Sequence, residues 1–151
     1  MNSSGAKPWT PWTAEWADLP RTPGAYLLLL ELDRSTKLPD RFGGRTLPPG
    51  CYLYTGSARG SGGIRARCKR HLNPTKNKHW HVDWLTTSGH AVCAAAYPAA
   101  AYPNVSECDL LTSLLKIKGV TIPELGFGSS DCRRCPAHLV GIMGAIDLQI
   151  P

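Results

Sequence analysis

The sequence predicts an α/β domain of the α+β kind, a small mixed or antiparallel sheet of three to four strands flanked by helices. Three stretches carry that expectation. Gly24 to Leu32, GAYLLLLEL, is an unbroken apolar run of strand length. Cys51 to Thr55 alternates and is rich in aromatics just before a glycine-rich turn. Asn104 to Lys118 has helical periodicity behind a capping signal. Elements of both kinds in one chain of 151 residues pack as a sheet covered by helices around one core, large enough to stand without disulfides.

Residues 1–22 read as an arm and residues 23–151 as the folded domain. The arm holds Trp9, Trp12 and Trp16 among prolines and small polar residues. Three indoles are too much apolar area to leave in water, so they are expected to pack on the domain or a partner, with stacking on nucleic-acid bases as the alternative. The first strand then follows a proline. Asp33 to Pro49, with Pro39, Gly43, Gly44, Pro48 and Pro49, connects it to an antiparallel second strand that ends at Tyr54. Gly56, Gly60, Gly62 and Gly63 turn the backbone into a basic helix whose apolar stripe is Ile64, Cys68 and Leu72. Arg67 and His71, four apart, share a neighbouring edge where both can reach one group. Arg65, Lys69 and Arg70 point elsewhere, toward water or phosphate.

Pro74 ends that helix, and HWHVDWLT follows from His79. Strand alternation would gather His79, His81 and Asp83 on one face, whereas a helix, capped near Asn77 and slightly preferred, would pair His79 with Asp83. His90 to Tyr102 reads as a strand and a turn. In the next helix Asn104 is a good N-cap and Glu107 stands at capping-box spacing, so the ordinary role of Glu107 is to close the cap. Val105, Cys108, Leu111, Leu114 and Leu115 form its core stripe. In the tail, Cys132, Cys135 and His138 have the spacing of a zinc half-site without a second paired motif, the alternative being a tight turn with reduced thiols. Leu139 to Ile146 can add a last strand.

The net charge of +6 is less informative than its distribution. Arg59, Arg65, Arg67, Lys69, Arg70, Lys76 and Lys78 fall in one segment that contains no Asp or Glu, the pattern of a nucleic-acid footprint, or otherwise of a solvated helix face. No apolar run reaches the roughly 18 residues of a membrane span, and MNSSGAKPWTPW lacks the apolar core of a signal peptide. A cytoplasmic location with six reduced cysteines is expected, nucleoid-associated in a bacterial or archaeal cell.

With Gly24-Ala25-Tyr26 on one strand, Tyr54-Thr55-Gly56 on the next, and then Arg67, His71 and Glu107, the chain resembles the GIY-YIG nuclease superfamily. It looks most like a free-standing branch whose domain also occurs fused to base-excision DNA glycosylases, through the blocks YLYTGSA, the RH pair, HWHVDWL, EC and GFGSSDC. The resemblance spans about residues 23 to 142 and leaves the tryptophan arm uncovered. It implies a metal-dependent endonuclease hydrolysing phosphodiester bonds in DNA, or RNA, in repair or at particular DNA structures, with a repair protein as partner and no membrane. By the same resemblance Tyr26 and Tyr54 are active-site phenols, Arg67 the transition-state cation, His71 an accessory group, and Glu107 the protein ligand of Mg²⁺ or Mn²⁺. Tyr26 would serve as base only if a nearby cation lowered its pKa. His79, His81 and Asp83 are further accessory candidates. The superfamily's late asparagine has no counterpart after Asn104, and Ser129, Ser130 or His138 stands in its place. A longer turn than usual before Arg67 leaves Arg65 as a competing arginine. Two other functions fit parts of the pattern: a nucleic-acid-binding module that has lost hydrolysis, and a zinc or thiol regulatory protein using Cys132 and Cys135.

Overall fold

The computed structural model describes residues 12–88, 91–130 and 132–143. Its organising elements are two long central strands, β1 (Gly24–Leu32) and β4 (Gly50–Ala58), antiparallel in a register that pairs Tyr26 with Gly56 and Leu28 with Tyr54. Between them the loop forms a short ribbon, β2 (Thr36–Lys37) with β3 (Thr46–Leu47). This ribbon and an adjoining 3-10 turn fold buried Leu38, Phe42 and Leu47 back onto the core.

The helix α1 (Gly63–Leu72) follows β4, and α2 (Asp83–Thr86) follows α1. The chain returns as β5 (Ala91–Pro98), α3 (Glu107–Leu115), β6 (Val120–Thr121) and β7 (Leu139–Ile142). The sheet order is β5-β1-β4-β7-β6, and every neighbouring pair is antiparallel. The fifth strand, absent from the expected three to four, is β6, whose two residues are too short to leave a period in the sequence.

Both faces of the sheet are covered, which explains why β1 reads as continuous leucine rather than as an alternating strand. Tyr26, Leu28, Leu30, Tyr52 and Tyr54 pack toward α1 and α2 with Ile64, Cys68, Val82 and Leu85. Ala25, Leu27, Leu53 and Val140 pack toward α3 with Leu110, Leu111 and Leu114.

No side chain caps the N-terminus of α1. The N–H groups of Ile64 and Arg65 donate instead to the carbonyls of Thr22 and Pro20, at 2.9 and 2.8 Å. The preceding segment is tied down along its length. Thr13 exchanges two backbone hydrogen bonds with Ala94 on the β5 edge, Leu19 is fully buried, and Trp12 packs on the α3 side of the core. Trp16 stays partly exposed with the Lys69 ammonium 4.4 Å from its ring centroid. Trp9 lies outside the described residues, as does the end of the expected Leu139 to Ile146 strand.

Two helices start elsewhere than expected. The helix preferred near Asn77 begins at Asp83, because the buried Asp83 carboxylate accepts the N–H groups of His79 and Trp80 at 2.7 and 2.8 Å and holds the preceding residues in a turn. The cap of α3 is Ser106, not Asn104. Ser106 and Asp109 form a reciprocal capping box, so Glu107 is the first helical residue and its carboxylate is not used by the cap.

Candidate functional site

Tyr26 and Tyr54 reach one cavity because two glycines make room for their rings. A Cβ on Gly56, directly across the ladder from Tyr26, would meet that ring, and one on Gly128 would fall 2.7 Å from Tyr54 Cε1. Gly128 also has φ +73°, a left-handed conformation that a side chain would strain. The cavity holds about 200 Å³. Its walls come from both strands, from Arg67 on α1, from Trp80, from Glu107 at the start of α3, and from Gly128, Cys132 and His138 of the late loop.

The electrostatics of this cavity favour donation over proton abstraction. Burial, with Tyr54 nearby, raises the Tyr26 phenol well above its ordinary pKa. Burial, with Glu107 adding to it, raises Tyr54 as well. Both therefore carry their protons at neutral pH. Tyr26 Oη lies 2.7 Å from His71 Nε2, and burial pushes the His71 pKa down to about 3, so the imidazole is neutral. The Arg67 guanidinium carbon sits 4.4 Å from the Trp80 ring centroid, and among the described residues no carboxylate pairs with Arg67.

Beside the cavity stands a cluster that the sequence reading found only in part. The ligand atoms of Cys108, Cys132, Cys135 and His138 all lie within 4.8 Å of one another. Cys108 Sγ is 3.4 Å from Cys132 Sγ and 3.9 Å from His138 Nε2. Zinc–sulfur bonds of 2.3 Å at tetrahedral angles place sulfurs about 3.8 Å apart, close to this spacing. His138 Nδ1 lies 2.9 Å from the Gly128 carbonyl, which can only accept. The ring proton therefore sits on Nδ1 and the Nε2 lone pair turns toward the thiols, as in a ligating histidine whose other ring nitrogen donates to a backbone carbonyl. Cys132 Sγ also accepts the Arg134 N–H at 3.4 Å. None of the six cysteines is disulfide-bonded.

This cluster corrects the expected Mg²⁺ or Mn²⁺ site. Hard cations take oxygen ligands, whereas three thiols and an imidazole form a zinc-type set. Glu107 offers one carboxylate and is not a member. Its Oε2 is 3.7 Å from His138 Nδ1, beyond hydrogen-bond distance. The zinc half-site expected at Cys132, Cys135 and His138 gains its fourth donor from Cys108 in the first turn of α3. Its only sequence signal was a cysteine next to Glu107, on a stripe that equally well serves the core.

The remaining expected residues divide clearly. Arg65 donates to the Leu19 carbonyl at 2.7 Å, Arg70 forks onto Asp83 with both bonds at 2.8 Å, and Lys76 caps α1 on the carbonyls of Arg70 and His71. Asp83 is fully buried in that pairing and does not line the cavity. His81 Nδ1 accepts the Gly128 N–H at 2.8 Å, so it positions the late loop, and burial lowers its pKa. His79 and exposed Ser130 border a neighbouring cavity with Tyr54 and Trp80. Arg59 borders a third cavity with Ser57, while Lys78 lies over Trp84. Ser129 is buried behind the wall.

Fold and site together define an antiparallel α/β domain with a zinc-type cysteine–histidine cluster in the wall of a phenol- and guanidinium-lined cleft. The family model described as Domain of unknown function DUF123 matches residues 25–148, and the chain belongs to that family. No curated protein and no solved structure matches it. Among the described residues no helix is long and apolar enough to cross a membrane.

Proposed function

We propose that this chain is a zinc-stapled nucleic-acid-binding module of GIY-YIG-like architecture that grips a phosphodiester in the cleft between Tyr26, Tyr54 and Arg67. The observation that carries this reading is that Cys132 and His138 belong both to the donor cluster and to the cleft wall. Cys108, Cys132, Cys135 and His138 would hold zinc as a structural cross-link, tying the start of α3 to the late loop. The protonated Tyr54 phenol and an arginine with no carboxylate partner among the described residues then present donors, the complement of a phosphate's oxygens, while the Tyr26 hydroxyl is bonded to His71. Exposed Arg59, Lys69 and Lys78 extend positive charge beyond the cleft.

Glu107 favours a second reading, hydrolysis of the same phosphodiester. A carboxylate facing phosphate opposes binding, but it can orient and deprotonate an attacking water. The two readings separate in one experiment with labelled single- and double-stranded DNA and RNA. For a binding module, Arg67→Ala weakens retention, Glu107→Gln tightens it, and no strand is cut. For an enzyme, the wild type cuts and both variants lose scission. A wild type that neither binds nor cuts any of these probes, while elemental analysis finds zinc, leaves the cysteine-centred regulatory reading in place.

A further inference from the structure

We propose that Trp80 is the positioning residue for Arg67, an inference that rests on the phosphate-binding reading of the cleft. Two guanidinium groups lie against the Trp80 ring, Arg67 at 4.4 Å and Arg70 at 4.5 Å from its centroid. The fold treats them differently. Arg70 has its fork on Asp83, whereas Arg67 meets the ring and the cavity with no acidic partner among the described residues. An ion pair would fix Arg67 but neutralise it and occupy its donors. Contact with an aromatic face restrains the planar cation through the ring quadrupole and leaves the N–H groups at its rim free for an anion.

The ring that performs this task is itself fixed. The backbone N–H of Trp80 donates to Asp83 Oδ2 at 2.8 Å, which anchors the main chain that carries the ring, and the indole packs 5.6 Å from His71, which is bonded to Tyr26. Trp80 therefore ties the cation of the cleft to the phenol of the cleft. It also borders a second cavity of about 160 Å³, between Gly60 and Arg70, that Arg67 shares. Without the indole, no contact among the described residues restrains Arg67 toward Tyr26 and Tyr54 rather than toward this second space.

The test measures binding of a fluorescein-labelled single-stranded oligodeoxynucleotide by the full chain and its variants. Trp80→Leu is expected to weaken binding roughly five- to tenfold, and Trp80→Phe to recover most of the loss because it restores an aromatic face. Adding Trp80→Leu to Arg67→Ala should cost nothing further. In NMR spectra, the Arg67 side-chain protons should show a ring-current upfield shift in the wild type and in Trp80→Phe, but not in Trp80→Leu. Full binding by Trp80→Leu alongside weak binding by Arg67→Ala overturns the proposal. So does a Trp80→Leu effect that persists undiminished in the Arg67→Ala background, or the absence of an upfield shift in the wild type. If Arg67→Ala itself binds as the wild type does, the phosphate-binding reading falls first and this inference with it.

Discussion

At His71 the imidazole is enclosed with Nε2 on the Tyr26 hydroxyl and Nδ1 without a partner. Burial lowers its pKa to about 3 in the folded protein, against about 6.5 when unfolded. The unfolded chain therefore binds the proton first, so the stability present above pH 6.5 declines as the pH falls toward the folded value. At pH 5 the expected loss from this group is about 2 kcal/mol. Thermal melts from pH 7 to 5 check this, and His71→Gln should flatten the decline. Gly56→Ala brings a methyl into the Tyr26 ring; a cost of about 1–3 kcal/mol is expected, measured by urea unfolding. Single residues were also where the sequence was hardest to read. Cys108 and Glu107 are adjacent, and each had an ordinary role available, core stripe for one and helix cap for the other. Their neighbours in space, His138 and Cys132, lie more than twenty positions away and leave no local trace.

Elements were more legible, and their ends less so. The sequence around α3 offers two overlapping caps, Asn104 with Glu107 and Ser106 with Asp109, each with an acidic residue three positions on. Local propensity does not separate them, and the structure uses the second. Ser106→Ala is expected to cost about 1 kcal/mol and, by loosening the turn that carries Cys108, to weaken zinc retention in a competition titration with a chromogenic chelator. In the segment around α2, the ambiguity between strand and helix arose because Asp83 organises a turn through backbone N–H groups, which no side-chain period records. Burial opposes ionisation of Asp83, but Arg70 and the two N–H groups hold its carboxyl below the usual range. Replacing it with Ala leaves Arg70 unpaired beside a buried space, and a loss of about 3 kcal/mol in chemical denaturation is expected.

For the molecule as a whole, the apolar pattern was enough to foresee a helix-covered sheet with β1 and β4 antiparallel. Charge was less transparent. Seven basic side chains in one acid-free segment have the pattern of a nucleic-acid footprint, yet Arg65, Arg70 and Lys76 are committed to carbonyls and to Asp83 within the fold. Arg59, Arg67, Lys69 and Lys78 remain, and four phosphate contacts imply a slope of about −3 for log affinity against log salt on single-stranded DNA. A slope near −5 would mean that the internal cations also reach phosphate. The cluster of Cys108, Cys132, Cys135 and His138 joins segments far apart in sequence, so removal of a metal held there should act globally. Elemental analysis should find zinc in the wild type but not in Cys108→Ser, and that variant should melt several degrees lower, as should the wild type after chelation.

The carbonyls of Pro20 and Thr22 that close the first turn of α1 make the unit longer than its outline in the chain. The family match begins at residue 25, and a protein engineer transplanting the domain from there would leave its helix with two backbone donors facing nothing. The portable part is therefore the folded domain together with the segment that runs from the β5 edge to Thr22. Any fusion partner joined directly at Gly24 would have to bring its own acceptors for those two amides.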